Sequence, residues 1–189
     1  MAGILSYTIA GNNVVQYLLF LGILAAAFFG TKIVYYIFSK VFETLTKKTK
    51  SRLDDLIVEA LRKPIILAVF LGGLQYARQV LTLSESASTI YTQVLMALVV
   101  INVAWFVIRI TNAILENYLH PEAKGTKFKM DGAIYHMLKR IIGVIIYAIA
   151  IIIVLHNRGV KVIVLVAVLV ICGLAFALAS QDIVGNMFG

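Results

Sequence analysis

The run VIVLVAVLVICGLAFALASQ, residues 162–181, carries no charged side chain over its whole length. A helix rises 1.5 Å per residue, so a run of this size crosses the roughly 30 Å hydrocarbon core of a bilayer. Four further stretches of seventeen or more residues with few charges precede it, at 14–39, 65–81, 90–118 and 138–156. Apolar residues make up 61% of the 189 and charged residues 14%, against about half and about a quarter in soluble domains. The expected fold class is an all-α integral membrane protein with five transmembrane helices per chain. A transmembrane β-barrel would show alternating segments of about ten residues, and none occurs. The first stretch is not a cleavable signal, because no Lys or Arg precedes it and its apolar run is too long.

Lys and Arg set the orientation. Segment 40–63 carries seven of them and segment 119–140 carries five. Residues 1–13 and 82–89 carry none, and 157–161 carries two. The N-terminus is therefore expected outside, the two long basic loops and the C-terminus in the cytoplasm, and the chain in a plasma (inner) membrane. The formal charge of +8 reads as this topology signal plus attraction to anionic lipids. A nucleic-acid partner is not expected.

The two basic loops resemble each other. Residues 50–65, KSRLDDLIVEALRKPI, align without gaps to residues 127–142, KFKMDGAIYHMLKRII, at a constant offset of 77. Five positions are identical and four more conservative. The first two spans thus read as a duplicate of the third and fourth, inserted in the same sense. Three units follow: a peripheral hairpin over 1–89, a second, sensor-like hairpin over 90–161, and a last helix with its cytoplasmic continuation over 162–189. In both loops apolar residues recur at helical spacing, at Leu53, Leu56, Ile57, Ala60 and Leu61, and at Met130, Ala133, Ile134, Met137 and Leu138. Asp54 and Asp131 stand where a first-turn carboxylate helps a helix, and Arg62–Lys63 and Lys139–Arg140 close the last turn before the membrane. These segments read as short interfacial helices turning into the bilayer, with a plain solvated connector as the other reading.

Within the final run, Gly173, Ala175, Ala177 and Ala179 alternate with larger residues. On a helical wheel Leu174, Leu178 and Gln181 share one narrow stripe. Gly173 and Ala177 lie on one flank, Ala175 and Ala179 on the other, and Phe176 on the back. Small residues let membrane helices approach closely. Two small flanks allow two neighbours; if these are copies of the same helix, the head-to-tail contacts close into a ring. The stripe facing the axis would then be a pore with an apolar constriction. A crowded helix in an ordinary bundle carries the same small residues, so spacing alone leaves both readings open.

The stretch Gly173–Asn186, GLAFALASQDIVGN, resembles the pore-lining helix of the small-conductance mechanosensitive channel (MscS) family. That helix alternates Gly/Ala with Leu and then passes a Gln and a polar break to an Asn. Lys129-Met-Asp131 through Arg140 resembles the linker between that family's two tension-sensing helices. The resemblance covers residues 90–189, with the first hairpin as an extension of the kind seen in larger relatives. It implies that Leu174 and Leu178 form the gate, that Gly173, Ala175, Ala177 and Ala179 pack between helices, and that a kink falls at Gln181–Asp182. The family usually has Gly where Asp182 stands, so Gly185 is the alternative breaker. Homoheptamers in contact with lipid, passing ions and small solutes for osmotic pressure release, are likewise implied. Members continue into a cytoplasmic β-rich domain, and nothing follows Gly189 here, so a membrane-domain piece is expected.

Chemistry has little purchase on this chain. Cys172 is the one cysteine, and His120, His136 and His156 lack ligand spacing. No nucleophile or phosphate-loop motif occurs. No enzyme activity, cofactor or metal is expected. Lys32, Arg78, Arg109 and Glu116 lie toward span ends, where long side chains snorkel, and Asn102 sits mid-span where an interhelical hydrogen bond is expected. Two rivals to a mechanically gated channel remain. A secondary transporter also uses duplicated hairpins, but needs polar or broken helices at the midplane, for which the second and fourth spans offer Gln75 and Gly143. A non-conducting assembly subunit would show neither current nor flux.

Overall fold

Lipid cannot satisfy backbone N–H and C=O groups, so the chain satisfies them within helices. The computed structural model describes residues 8–9, 11–48, 52–119 and 132–188. Five helices follow a two-residue hairpin: β1 (Thr8–Ile9), β2 (Asn12–Asn13), α1 (Val14–Lys48), α2 (Arg52–Arg78), α3 (Glu85–Leu119), α4 (Gly132–Asn157) and α5 (Ile163–Phe188). Four helices contain runs long and apolar enough to cross a membrane, Val14–Lys40, Glu85–Asn117, Tyr135–Asn157 and Ile163–Asp182. The exception is α2, whose uncharged run between Lys63 and Arg78 is only fourteen residues. The basic linkers are not separate helices: each is continuous with the helix after it, and Pro64 sits inside α2.

The helices pack in chain order, α1 on α2, α2 on α3 and α3 on α4. The first contact turns on one glycine. A Cβ placed on Gly73 would collide with the Cβ of Ala27, whereas at Gly72 it would meet nothing within 4 Å. Adding the offset of 77 to Ala27 and Gly73 gives Ala104 and Ala150. Both are 6% exposed, and both line one apolar cavity of about 310 Å3 between α3 and α4. The duplication seen in the linkers therefore extends to the helix crossings, tight in the first hairpin and looser in the second.

Side chains of α3 fasten it to carbonyls of α2. Tyr91 donates its hydroxyl to the Leu74 carbonyl at 2.7 Å. Asn102 donates Nδ2 to the Pro64 carbonyl at 3.1 Å, which is the mid-span bond its sequence position predicts. Arg109 reaches the Glu59 carbonyl at 3.4 Å. At the opposite end, Asn12 is 2% exposed and holds Thr82: Nδ2 donates to the Thr82 carbonyl at 2.8 Å, and the Thr82 N–H returns to Oδ1 at 2.6 Å. Gly11, with φ +82°, supplies the left-handed turn that brings Asn12 there.

In the second linker Tyr135 is buried and Met137 is exposed. Helix α4 packs chiefly on α3, so it buries one narrow face, and Met137 lies about 200° around from Tyr135. In the first linker, flanked by α1 and α3, Ala60 is buried while Glu59 and Lys63 stay exposed.

The Gly73 contact yields a paired test. Gly73→Ala should destabilise the protein by about 1–3 kcal/mol through overpacking, whereas Gly72→Ala should be neutral or gain up to about 1 kcal/mol of helix propensity. Thermal unfolding of the purified protein in detergent measures both. Adding Ala27→Gly should restore the Gly73→Ala variant, and failure to do so would place the strain elsewhere.

Candidate pore helix

The turn into α5 is tightly specified. Helix α4 ends at Asn157, and Gly159 follows with φ +77°. The Gly159 N–H bonds the His156 carbonyl at 2.9 Å and the Val160 N–H bonds the Leu155 carbonyl at 3.2 Å. This pair of bonds is a Schellman cap, which places glycine at the left-handed position. Helix α5 then begins with the Val166 N–H on the Val162 carbonyl, at 2.9 Å, and runs unbroken through Gln181, Asp182 and Gly185 to Phe188. The polar break suggested by the sequence is not an interruption of helical bonding.

Among the described residues helix α5 has no extensive packing surface: every residue from Ile163 to Ala179 is exposed. Leu174, Leu178 and Phe176 are 61%, 62% and 56% exposed, so the leucine stripe and the back are equally open. Ala175, Ala177 and Ala179 are exposed, and a Cβ on Gly173 or Gly185 would meet nothing within 4 Å. Gln181 and Asp182 are exposed as well. The structure thus gathers the residues of the proposed pore onto one helix.

The interfacial residues are distributed along the other helices. Arg62 is half-buried; its guanidinium lies 3.8 Å from the Tyr35 ring centroid and donates to Ser39 Oγ at 3.0 Å. Arg78, at the far end of the same uncharged run, bonds Ser88 and lies 5.6 Å from the Tyr91 ring. Arg109 lies 5.2 Å from the Trp105 ring, and Lys32 lies 5.3 Å from Phe28. Aromatic faces thus take up each of these cations. Lys63 and Arg140 are exposed and Lys139 is half-buried. The side chain of Asp54 and all of Asp131 lie outside the described residues. The sequence reading passed over Tyr35, Tyr91 and Ser39. Their signal was an aromatic or hydroxyl placed level with an arginine of the neighbouring helix, which becomes visible only once the register is known. Among the described residues no cluster of side chains could hold a metal ion.

Comparison with known proteins fits this arrangement. The chain is 31% identical over 149 residues to the large-conductance mechanosensitive channel MscMJLR of Methanocaldococcus jannaschii, covering 78% of this chain and 41% of that protein. It is 28% identical over 178 residues to the small-conductance mechanosensitive channel MscMJ of the same organism, covering 94% of this chain and 51% of that protein. Over its membrane region the chain belongs to the MscS-like family of mechanosensitive channels. It spans about half the length, or less, of these two relatives. No family model matches it, and no solved structure does.

The two flanks of α5 can be told apart from its back by substitution. Ala177→Val adds two methyl groups to a small flank and should weaken assembly or shift the opening tension, an overpacking cost of about 1–3 kcal/mol per contact. Phe176→Leu should do much less. Oligomer stability in detergent and pressure threshold in patches compare them; equal effects would contradict the assignment of flank and back.

Proposed function

We propose that this chain forms a mechanosensitive channel in which α5 lines a central pore, Leu174 and Leu178 close it, and membrane tension opens it to ions and small solutes as an osmotic release valve. The observation that carries the reading is the isolation of α5: its charge-free run to Gln181 has two small flanks, and every residue from Ile163 to Ala179 is exposed. In lipid such flanks acquire a role only against close neighbours. Copies of the same helix are the simplest neighbours, and the family resemblance gives seven of them. Gly173, Ala175, Ala177 and Ala179 are the packing surfaces, and the bend near Gln181, Asp182 or Gly185 occurs within a continuous helix. Asp54, Arg62, Lys63, Asp131, Lys139 and Arg140 sit at the inner headgroup level.

Helix α2 is the fifth span in this reading. Its uncharged run extends about 21 Å, short for a bilayer, but an arginine near each end, Arg62 and Arg78, is held on an aromatic ring of a neighbour. With five spans the N-terminus lies outside and the C-terminus in the cytoplasm. Cysteines placed at Ser6 and Thr49 in a Cys172→Ser background should then label from outside and inside respectively with an impermeant reagent. Reversed labelling would overturn the orientation.

An apolar ring blocks ions by excluding water, so opening must separate and wet its leucines. Full burial of one leucine side chain is worth roughly 1.5–3 kcal/mol, and a ring multiplies even a fraction of this by the subunit number. Leu178→Ser should lower the opening tension or produce a resting leak, whereas Phe176→Ser should not. Patch recording of the reconstituted protein under suction decides among the readings. Stepwise currents that rise with pressure support the channel, saturable substrate flux a transporter, and silence an assembly subunit. An unchanged threshold in Leu178→Ser removes the leucines from the gate.

A further inference from the structure

Helix α2 has a weak point where the sequence repeat departs from itself. Pro64 lacks an N–H, so the Ala60 carbonyl loses its helical donor there. The second copy has Ile141 at the matching place, and α4 runs through it with no proline. Pro64 also divides α2 by composition. The charge-rich half Arg52–Lys63 precedes it and the uncharged half follows.

The one bond to the Pro64 carbonyl from outside α2 among the described residues comes from Asn102 of α3. Asn102 is 6% exposed, and its Oδ1 is buried with no hydrogen-bond partner among the described residues. Asn102 is therefore one bond short in this arrangement, and a buried unpaired acceptor weakens the state that holds it. On either side of the proline α3 grips α2 again, through Tyr91 on the Leu74 carbonyl and, at the longer 3.4 Å, Arg109 on the Glu59 carbonyl. Beside that last contact lies a polar cleft of about 370 Å3 lined by Leu56, Glu59, Ala60, Arg109, Asn112 and Glu116. The interfacial half of α2 has room to move at this cleft.

We propose that Pro64 is a hinge in α2 and that Asn102 is the latch that holds the hinge closed against α3. Asn102 acts through α2 as a positioning residue for gating, so the inference rests on the channel reading. The short uncharged run of α2 supplies the direction. A thinner bilayer suits a run of about 21 Å better than a resting one, so tension favours movement of the charge-rich half about Pro64. The latch opposes that movement and passes the load to α3.

The test uses the full chain in liposomes, with Cys172→Ser and spin labels on Glu59→Cys and Asn112→Cys across the cleft. A single narrow distance is expected in long-chain phosphatidylcholine and a second, longer one in short-chain phosphatidylcholine. Asn102→Ala should show the longer distance already in long-chain lipid, and adding Pro64→Ala should return the single narrow one. The pressure for half-maximal current should shift down in Asn102→Ala and return in the double variant. Asn102→Ala matching the parent, or an Asn102→Ala effect that persists in the Pro64→Ala background, would overturn the hinge. Should Asn102→Ala fail to assemble, Pro64→Ala alone decides, because it must abolish the response to short-chain lipid. Distances that behave as expected without any pressure-gated current would support the hinge and sink the channel reading instead.

Discussion

Lipid tails are as apolar as leucine, so burial gives transmembrane helices no reason to prefer each other over the bilayer. Whatever holds this chain together must come from close backbone approach and from polar groups with nowhere else to bond. Both devices are visible. Gly73 against Ala27 lets α1 and α2 touch at the backbone, and Tyr91, Asn102 and Arg109 tie α3 to the carbonyls of α2. Helix α5 has the first device, in its Gly and Ala flanks, but no intrachain surface on which to use it. The same physical rule that explains four packed helices explains why the fifth stands apart.

Helix α2 shows how the rule accommodates charge. The cations at the two ends of a fourteen-residue run, Arg62–Lys63 and Arg78, would sit badly in hydrocarbon on a lone helix. Here Arg62 is placed on Tyr35 of α1 and Arg78 on Tyr91 of α3. The short helix is thus sheltered between two longer ones, and its ends depend on them. The tight first hairpin and the looser second one are variants of one crossing, marked by Gly73 and Ala27 in the first and by Ala150 and Ala104 in the second.

Much of this was legible in the sequence. Charge-free runs place four of the candidate spans to within about five residues, because period and length are properties of single segments; they do not show that the helices run on, as α1 does to Lys48 and α2 does from Arg52. The duplication was legible in the linkers, although its clearest trace, the small residues at the crossings, needed the structure to show which alanines meet. The partner of Asn102 was foreseeable in kind and not in identity, since a buried amide must bond something but only register selects Pro64. The exposure of Met137 beside the buried Tyr135 was not legible, because an amphipathic stripe cannot say which face meets a neighbour. The roles of Leu174 and Leu178 come from wheel geometry and likeness, and a single chain with α5 open on every side leaves them as proposals.

The cap at Gly159 has a mechanical meaning. Two backbone bonds and a left-handed glycine fix the turn between α4 and α5, and residues 158–162 reach at most about 17 Å. At their other ends, among the described residues, these two helices are not joined. Such a pair behaves like the legs of a compass: the distance at the pivot is held, and the angle is the coordinate left free. A force that moves α4 sideways in the bilayer therefore reaches α5 as a tilt, largest at the end farthest from Gly159, where Leu178 and Gln181 lie.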